Sequence, residues 1–194
     1  MKYVALDLEL EQPKSNSSTP DSLLDKESII QVGFVIFELE PEFKVLESYC
    51  KCVNIKVPLS TFIKNLTHIS DEDIAGGVTL AETYADLCNI VEKHSTSRIV
   101  RQWGGGDMEC YKDELESLGA IDKWAFGRSG FNVKHLFQTF AQANAISWRG
   151  GLTRSMTKCG LKWQGGRKHN ALADAHNTAY IFDYLYKQLK KGLL

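Results

Sequence analysis

Two acidic residues lie inside an apolar stretch near the start of the chain. In VALDLEL, residues 4–10, apolar and acidic side chains alternate, which is typical of a β-strand with two different faces. Asp7 and Glu9 then share one face, with β-carbons about 6 to 7 Å apart. Carboxylates held this close repel each other unless water or a cation compensates, and a hard divalent ion such as Mg²⁺ is the natural partner. The alternative is a solvated strand face. Glu11 has the same spacing and competes with Glu9; only its position in the following polar loop argues against it.

A second group of candidate residues lies in KHNALADAHN, residues 168–177. An α-helix turns about 100° per residue, so Asp174 and His176 point about 200° apart and cannot chelate one ion from a regular helix. His169 and Asp174 converge only if His169 precedes the helix, and Asn170 as N-cap would allow that. The alternatives are a surface histidine and an aspartate that merely complements the helix dipole.

Asp107 is the last of the candidate acids and follows three glycines in WGGGD, residues 103–107. An N-cap role alone would explain it. The glycines, however, remove side chains at the end of a strand, where α/β sheets bind ligands. The run lacks a following G-K-[ST] and is no nucleotide P-loop. Four acids and one histidine from three separate segments are the inventory of a two-metal hydrolase, in which histidine accepts a proton from water.

The elements that must position these residues indicate one α/β domain over residues 1–194, a mixed sheet with helices packed on it. Strands are predicted at residues 2–10, 27–39, 44–57 and 97–103. Helices are predicted at residues 80–94, 107–118, 132–144 and 152–159, with short helical turns at 61–74 that include a Ser70 cap and a final helix after Asn170. Helical spacing predicts the buried face of the final helix as Leu172, Ala175, Ala179, Phe182, Tyr186 and Leu189.

Composition narrows the class of protein. Hydrophobic residues make up 43% of the 194 residues, enough for a full core. The five cysteines are scattered and do not form a disulfide framework or paired zinc knuckles. Asp7 and Glu9 interrupt the apolar N-terminus, so it does not read as a signal peptide, and no run approaches the ~20 apolar residues of a membrane span. We therefore expect a cytoplasmic protein without a membrane partner. A net charge of −1 gives no bulk attraction for nucleic acid, which would need a local basic patch or bound cations.

Three ordered motifs carry a family resemblance. The motifs D-L-E at 7–9, W-G-G-G-D ending at 107 and H-N-A-L-A-D at 169–174 resemble those of the DEDDh, or DnaQ-like, 3′-5′ exonucleases. The D-x-E and H-x4-D spacings match, and IIQVG and LTHIS extend the resemblance over nearly the whole chain. W-G-x-x-D and GLKWQGGRKH are more similar to the exoribonuclease-like branch, which trims RNA 3′ ends, than to proofreading subunits.

The resemblance implies an RNase H-like fold, a mixed five-stranded sheet flanked by helices. It implies that Asp7, Glu9 and Asp174 surround one Mg²⁺ or Mn²⁺ ion, and that Asp7 and Asp107 serve a second ion. His169 would be the general base, carried on a mobile loop. The activity implied is release of nucleoside 5′-monophosphates from the 3′ end of single-stranded RNA or DNA.

Other residues are assigned to substrate binding or to no role. His176 has no catalytic role under this resemblance. The phosphate backbone is expected to bind a basic group: Arg154, Lys158, Lys162, Arg167 and Lys168. The terminal base is expected to contact Leu8, Leu10, Leu66 and His68, although Leu8 and Leu10 fit the core equally well. The sequence departs from the family at Leu10, where a small or hydroxylated residue often stands, and in its Glu11 and long serine-rich loop.

Two other functions fit the same residues. A nuclease-like module could hold 3′ ends without cutting, and a metal-dependent phosphodiesterase could hydrolyse dinucleotides or short oligonucleotides. The sequence leaves open the choice between RNA and DNA, which rests on contacts to the 2′-hydroxyl, and also the oligomeric state.

Overall fold

Five strands form one mixed sheet in the computed structural model, which describes residues 1–127 and 130–192. The strands are β1 Lys2–Glu11, β2 Ser28–Glu38, β3 Lys44–Cys52, β4 Val100–Gln102 and β5 Phe131–Asn132. Their order across the sheet is β3-β2-β1-β4-β5. β1, β2 and β3 pair antiparallel, while β4 and β5 continue the sheet parallel to β1. The prediction of a mixed five-stranded sheet is confirmed. The predicted domain also includes residues 128, 129, 193 and 194, which lie outside the described residues.

Seven helices surround the sheet in the described part of the chain. They are α1 Thr61–Thr67, α2 Asp71–Ala75, α3 Leu80–His94, α4 Asp107–Ser117, α5 Val133–Ala143, α6 Leu152–Lys158 and α7 Ala171–Gly192. The predicted cap at Ser70 is confirmed, because Ser70 and Asp73 form a reciprocal capping box at the start of α2. None of the described helices combines the length and apolar composition needed to cross a membrane.

The sheet lies between two apolar clusters, and β1 supplies both. Val4, Leu6 and Leu8 pack on one face with residues of α3 and α4. Ala5 packs on the other face with residues of α5, α6 and α7. The predicted alternation of β1 is therefore confirmed, and Asp7 and Glu9 lie on the Ala5 face. A strand in the middle of a sheet and covered on both sides holds its side chains in fixed positions.

Several predicted elements differ in extent. β3 ends at Cys52 instead of residue 57, and the next residue, Val53, forms an isolated bridge with Val78. β5 has only two residues, too few to show an alternating pattern, and was not predicted. In α7 the predicted burial of Leu189 is wrong, since that residue is 53% exposed near the end of the helix.

The buried face of α7 is also wider than its helical spacing indicates. Ala175, Ala179 and Phe182 are buried as predicted, while Leu172 and Tyr186 are only half-buried. The polar residues Asn177 and Asp183 are buried as well. The helix is covered on more than one side because it lies against the sheet while also contacting α5 and α6.

Candidate active site

Three carboxylates converge at one end of β1. Asp7, Glu9 and Asp174 each offer an oxygen, and these atoms all lie within 4.8 Å of one another. Asp7 and Glu9 come from one face of the strand, whereas Asp174 comes from the first turn of α7. Residues distant in the sequence therefore form one acidic cluster.

Asp107 completes the acidic group from the start of α4. Its charge raises the pKa of both Asp7 and Glu9, as expected of a carboxylate facing the same site. The alternative role of Asp107 as N-cap is wrong, because it is the first helical residue and Gly106 occupies the cap position. Gln102 supplies the missing acceptor, since its Oε1 accepts a hydrogen bond from Met108 N–H at 3.0 Å.

Gly33 allows α7 to reach the acidic strand. Gly33 lies opposite Asp7 in the β1–β2 pairing. A β-carbon at Gly33 would lie 2.2 Å from both the carbonyl carbon of Ala171 and the backbone nitrogen of Leu172. Any larger residue would push the start of α7 away from β2, so this close approach requires glycine.

Gln31 fixes the start of α7 through hydrogen bonds. It lies opposite Glu9 and is buried. Its Oε1 accepts hydrogen bonds from Ala171 N–H at 2.9 Å and from Asn170 Nδ2 at 3.2 Å. Asn170 Oδ1 in turn accepts from Ala173 N–H at 3.2 Å, which confirms the predicted cap. Gln31 is a functional residue that the sequence motifs do not reveal, and its place opposite Glu9 on the neighbouring strand is the signal that could have found it.

His169 precedes the cap, as convergence with Asp174 requires. Its backbone has a left-handed φ of 58°, and its N–H donates to Asp174 Oδ2 at 3.3 Å. The loop before it is held at Gln164, whose backbone N–H and C=O both bond to the side chain of the buried Asn177. His176 packs its ring edge-on against Phe43, with 6.3 Å between ring centroids. The histidine roles remain predictions, but only His169 lies beside the acids.

Burial raises the pKa of every acid in the group, and repulsion from the neighbouring acids adds to it at Asp7 and Glu9. The pKa of Glu9 rises to about 8, first through burial and then through the charges of Asp174 and Asp107. Burial and Glu109 raise the pKa of Asp107 to about 7, and burial raises that of Asp174 to about 6 although His169 opposes the shift. The pKa of Asp7 lies well above its ordinary value for the same reasons. A cation is the partner that such a group lacks, so the donor set fits a divalent metal ion.

Asp7, Asp174 and His169 line a cleft of about 560 Å³. Its other lining residues are Trp103, Gly150, Gly151, Leu152, Thr153, Arg154, Trp163 and Lys168. Two of the predicted phosphate-binding residues, Arg154 and Lys168, thus face the cleft. Lys158 lines a neighbouring basin, and Arg167 is an exposed residue of the preceding loop.

Three other candidate residues lie away from the acidic cluster and the cleft. Glu11 is fully buried, and its Oε2 accepts from Ser60 N–H at 2.9 Å at the start of α1, so Glu9 joins the cluster and Glu11 does not. Leu10 is half-buried against the core on the α3 side. His68 is an exposed C-cap of α1 with a left-handed backbone. Among the described residues that line the cleft, neither Leu10 nor His68 occurs.

Comparison with solved structures identifies the architecture. The nuclease domain of 3′hExo, a DEDDh family member bound to rAMP, has a TM-score of 0.78 and 18% sequence identity. The match covers 96% of this chain and 92% of that one. This is the fold of the DEDDh nucleases. The predicted RNase H-like fold and the family resemblance of the motifs are confirmed at the level of the fold.

Two further solved structures share this fold. Cell-death related nuclease 4 (CRN-4) has a TM-score of 0.79 at 19% identity, with 96% of this chain and 64% of that chain covered. Pop2p of S. pombe, in its Mg²⁺ and Mn²⁺ bound form, has a TM-score of 0.65 at 16% identity, with 94% and 82% covered. No protein-family model and no curated protein matches the sequence. At these identities the likeness concerns the fold.

Proposed function

We propose that this chain is a metal-dependent 3′-5′ exonuclease acting on single-stranded nucleic acid. The observation that carries the proposal is the convergence of the carboxylates of Asp7, Glu9 and Asp174 at a cleft that Asp7, Asp174 and His169 line. The shared fold of 3′hExo and CRN-4, both nucleases, supports it. Asp107 belongs to the same acidic group, because its charge raises the pKa of both Asp7 and Glu9.

The acids would hold two Mg²⁺ or Mn²⁺ ions. Asp7, Glu9 and Asp174 would bind one ion, and Asp7 with Asp107 would bind the second. The raised pKa values of the acids support this assignment, because a nearby cation favours the ionised form of each carboxyl group. Bound ions supply Lewis acidity that stabilises negative charge developing on the reacting phosphate. The Mg²⁺ and Mn²⁺ bound form of Pop2p is consistent with the choice of ions.

Other side chains of the cleft would accept a proton and bind the phosphate. A neutral imidazole is a base that can take a proton from water, so His169, which lies in the cleft with Asp7 and Asp174, is suited to accept the proton of the attacking water. Water attacks the last phosphorus of the strand, and the bond from that phosphorus to the 3′-oxygen of the preceding sugar breaks. The products are a nucleoside 5′-monophosphate and a strand one nucleotide shorter that ends in a 3′-hydroxyl. Arg154 and Lys168 would bind phosphate oxygens at the cleft.

Digestion of 5′-labelled single strands tests the proposal. RNA and DNA of one sequence are incubated with Mg²⁺, with Mn²⁺ or with a chelator, beside the Asp7→Asn protein. We expect a ladder that shortens from the 3′ end and that disappears with chelator. Asp7→Asn should lower the rate by at least about 100-fold, the scale of losing one group that stabilises transition-state charge. The ratio of the RNA and DNA rates gives the sugar preference.

Two results would replace the proposal. Hydrolysis of dinucleotides with intact longer strands would indicate a phosphodiesterase of short substrates. Tight binding of 3′ ends without cleavage under any metal condition would indicate an end-binding module. Circular dichroism of Asp7→Asn is the control for folding, because loss of a buried carboxylate from a repulsive cluster should leave the fold intact.

A further inference from the structure

The charges of this chain are unevenly distributed along its sequence. The 51 residues from 123 to 173 contain nine lysines and arginines and no aspartate or glutamate. The other 143 residues contain 14 basic and 24 acidic residues. A net charge near zero thus conceals a basic segment that leads up to His169, and a local field of this sign attracts polyanions.

Part of this segment forms a basin next to the cleft. The basin has a volume of about 500 Å³ and is lined by Ser147, Trp148, Arg149, Arg154, Thr157 and Lys158. Three of these six residues are cationic. None of the three forms an ion pair within residues 1–127 and 130–192. Their charges are consequently available to an external anion.

Arg154 connects the basin to the cleft, because its side chain lines both. A β-carbon at Gly150 would lie 2.6 Å from Arg154 Cδ, so the glycine makes room for the arginine to pass over the backbone. Arg154 Nη1 donates to Arg149 C=O at 3.2 Å. The guanidinium is therefore held at the boundary, where one strand could contact it while occupying both depressions.

Trp148 supplies an aromatic surface in the same basin. Its indole is half-buried and packs edge-on against Phe137, with 5.2 Å between ring centroids. Its indole nitrogen is buried, so the ring is anchored from the core side, and the part of the ring that remains exposed is a candidate stacking surface for a nucleobase. Basic side chains that track phosphates beside an aromatic platform are the usual combination for binding single strands.

Resting on the exonuclease function proposed above, we propose that the basin binds the strand upstream of its 3′ end. Arg149, Arg154 and Lys158 bind the phosphates of nucleotides that have not yet reached the acids, and Trp148 stacks with one of their bases. The basin gives the protein its preference for a polymer over a dinucleotide, because only a longer strand spans both depressions. The ligand class is a single-stranded polynucleotide of several residues.

A double variant tests the basin. The variant Arg149→Ala with Lys158→Ala removes two exposed cations of the basin. The control variant, Lys44→Ala with Lys51→Ala, removes two exposed cations of β3, which is far from the basin residues in the sequence. Binding of a 12-nucleotide strand is measured against salt concentration, and hydrolysis of the same strand is compared with that of a dinucleotide. We expect the basin variant to weaken 12-mer binding about tenfold and to reduce the slope of log K against log salt by about 0.7 for each phosphate that is no longer neutralised. The loss of kcat/KM should be several times larger for the 12-mer than for the dinucleotide.

Trp148→Phe and Trp148→Leu form the second arm of the test. Leucine should weaken 12-mer binding by at least about fivefold, the lower range for one lost stack, and phenylalanine should restore most of it. An unchanged salt slope in the Arg149→Ala, Lys158→Ala protein, or equal losses for the 12-mer and the dinucleotide, would overturn the proposal. Failure of the wild-type protein to cut or bind any strand is a different result, since it removes the exonuclease function itself.

Discussion

The acidic cluster and the basic surface of this protein are built in opposite ways. The acids lie on a central strand and at two helix starts, and they are fixed by close backbone contact and buried hydrogen bonds. Arg149, Arg154 and Lys158 lie on a loop and on the two-turn helix α6, with exposed side chains and few fixed contacts. Hydrolysis requires atoms held within about 1 Å, whereas attraction of a polyanion depends on charge over longer distances. The two regions should therefore respond differently to substitution.

Outside the acids themselves, the largest effect is expected at Gly33, which belongs to the fixed region. Gly33→Ala inserts a β-carbon 2.2 Å from the Ala171 carbonyl carbon, so the start of α7 must move and carry Asp174 with it. A displacement of about 1 Å can cost about 100-fold in rate, and overpacking costs about 1–3 kcal/mol of stability. Rates of 3′ shortening and urea unfolding measure both quantities. Gly76→Ala is the matched control, because its nearest neighbour would be 3.4 Å away. Full activity in Gly33→Ala would mean that the site tolerates movement.

A smaller effect in the same region is expected at Gln31. Gln31→Leu removes the acceptor of Ala171 N–H and Asn170 Nδ2. Leaving buried donors without a partner costs about 1–3 kcal/mol, and a less ordered α7 start should raise the Mn²⁺ concentration needed for half-maximal rate. Gln142→Leu, at an exposed position of α5, is the control for loss of an amide. If stability falls but the Mn²⁺ requirement does not change, Gln31 acts on folding alone.

The pH dependence of stability should also separate the two regions. In chelator, the folded protein retains protons on Glu9, Asp107 and Asp174 that the unfolded chain releases near pH 4, because their pKa values are raised to about 8, 7 and 6. This contribution to stability is complete below the unfolded pKa and is lost progressively as pH rises from about 4 to about 8. Thermal unfolding in chelator should therefore show Tm falling across this range, by about 2 to 4 °C for each kcal/mol.

Two comparisons test the assignment of this pH effect to the acids. Added Mg²⁺ should restore Tm at pH 8, since it binds the ionised cluster of the folded state. Glu9→Gln should flatten the profile measured in chelator. An equally steep profile in Glu9→Gln would assign the pH dependence to groups outside the cluster.

The smallest effects are expected among exposed cations. Arg167→Ala with Lys168→Ala should weaken strand binding and flatten its salt dependence, because cations that release counterions from the strand are lost. The single variants sharpen the comparison, since Lys168 lines the cleft and Arg167 does not. Lys168→Ala should account for most of the change, with about 0.7 taken from the slope. Salt titrations of binding measure it, and an unchanged slope in the double variant would remove both residues from the strand path.

The same contrast explains how much the sequence predicted. Alternation in β1 predicted that Asp7 and Glu9 share a face. The capping pattern at Asn170 predicted that His169 approaches Asp174. Both patterns could be recognised because strand and helix periodicities involve residues that are close together in the sequence. The role of Gly33 depends on the position of a helix about 140 residues later, which no local pattern contains. Arg149 lines the basin, whereas Lys168 lines the cleft. A run of basic residues in the sequence does not show which of the two depressions each residue lines.

The hydrogen bond from His169 N–H to Asp174 Oδ2 couples two parts of the site. A ligand that binds the Asp174 carboxylate changes the strength of its hydrogen bond with His169 N–H. Conversely, a movement of the loop that carries His169 changes how this carboxylate is presented to the ligand. Occupancy and loop position are therefore linked variables, each biasing the other by the same free energy. The exchange rate of the His169 amide hydrogen should differ between the metal-loaded and chelated protein, which makes this one backbone group a reporter of site occupancy.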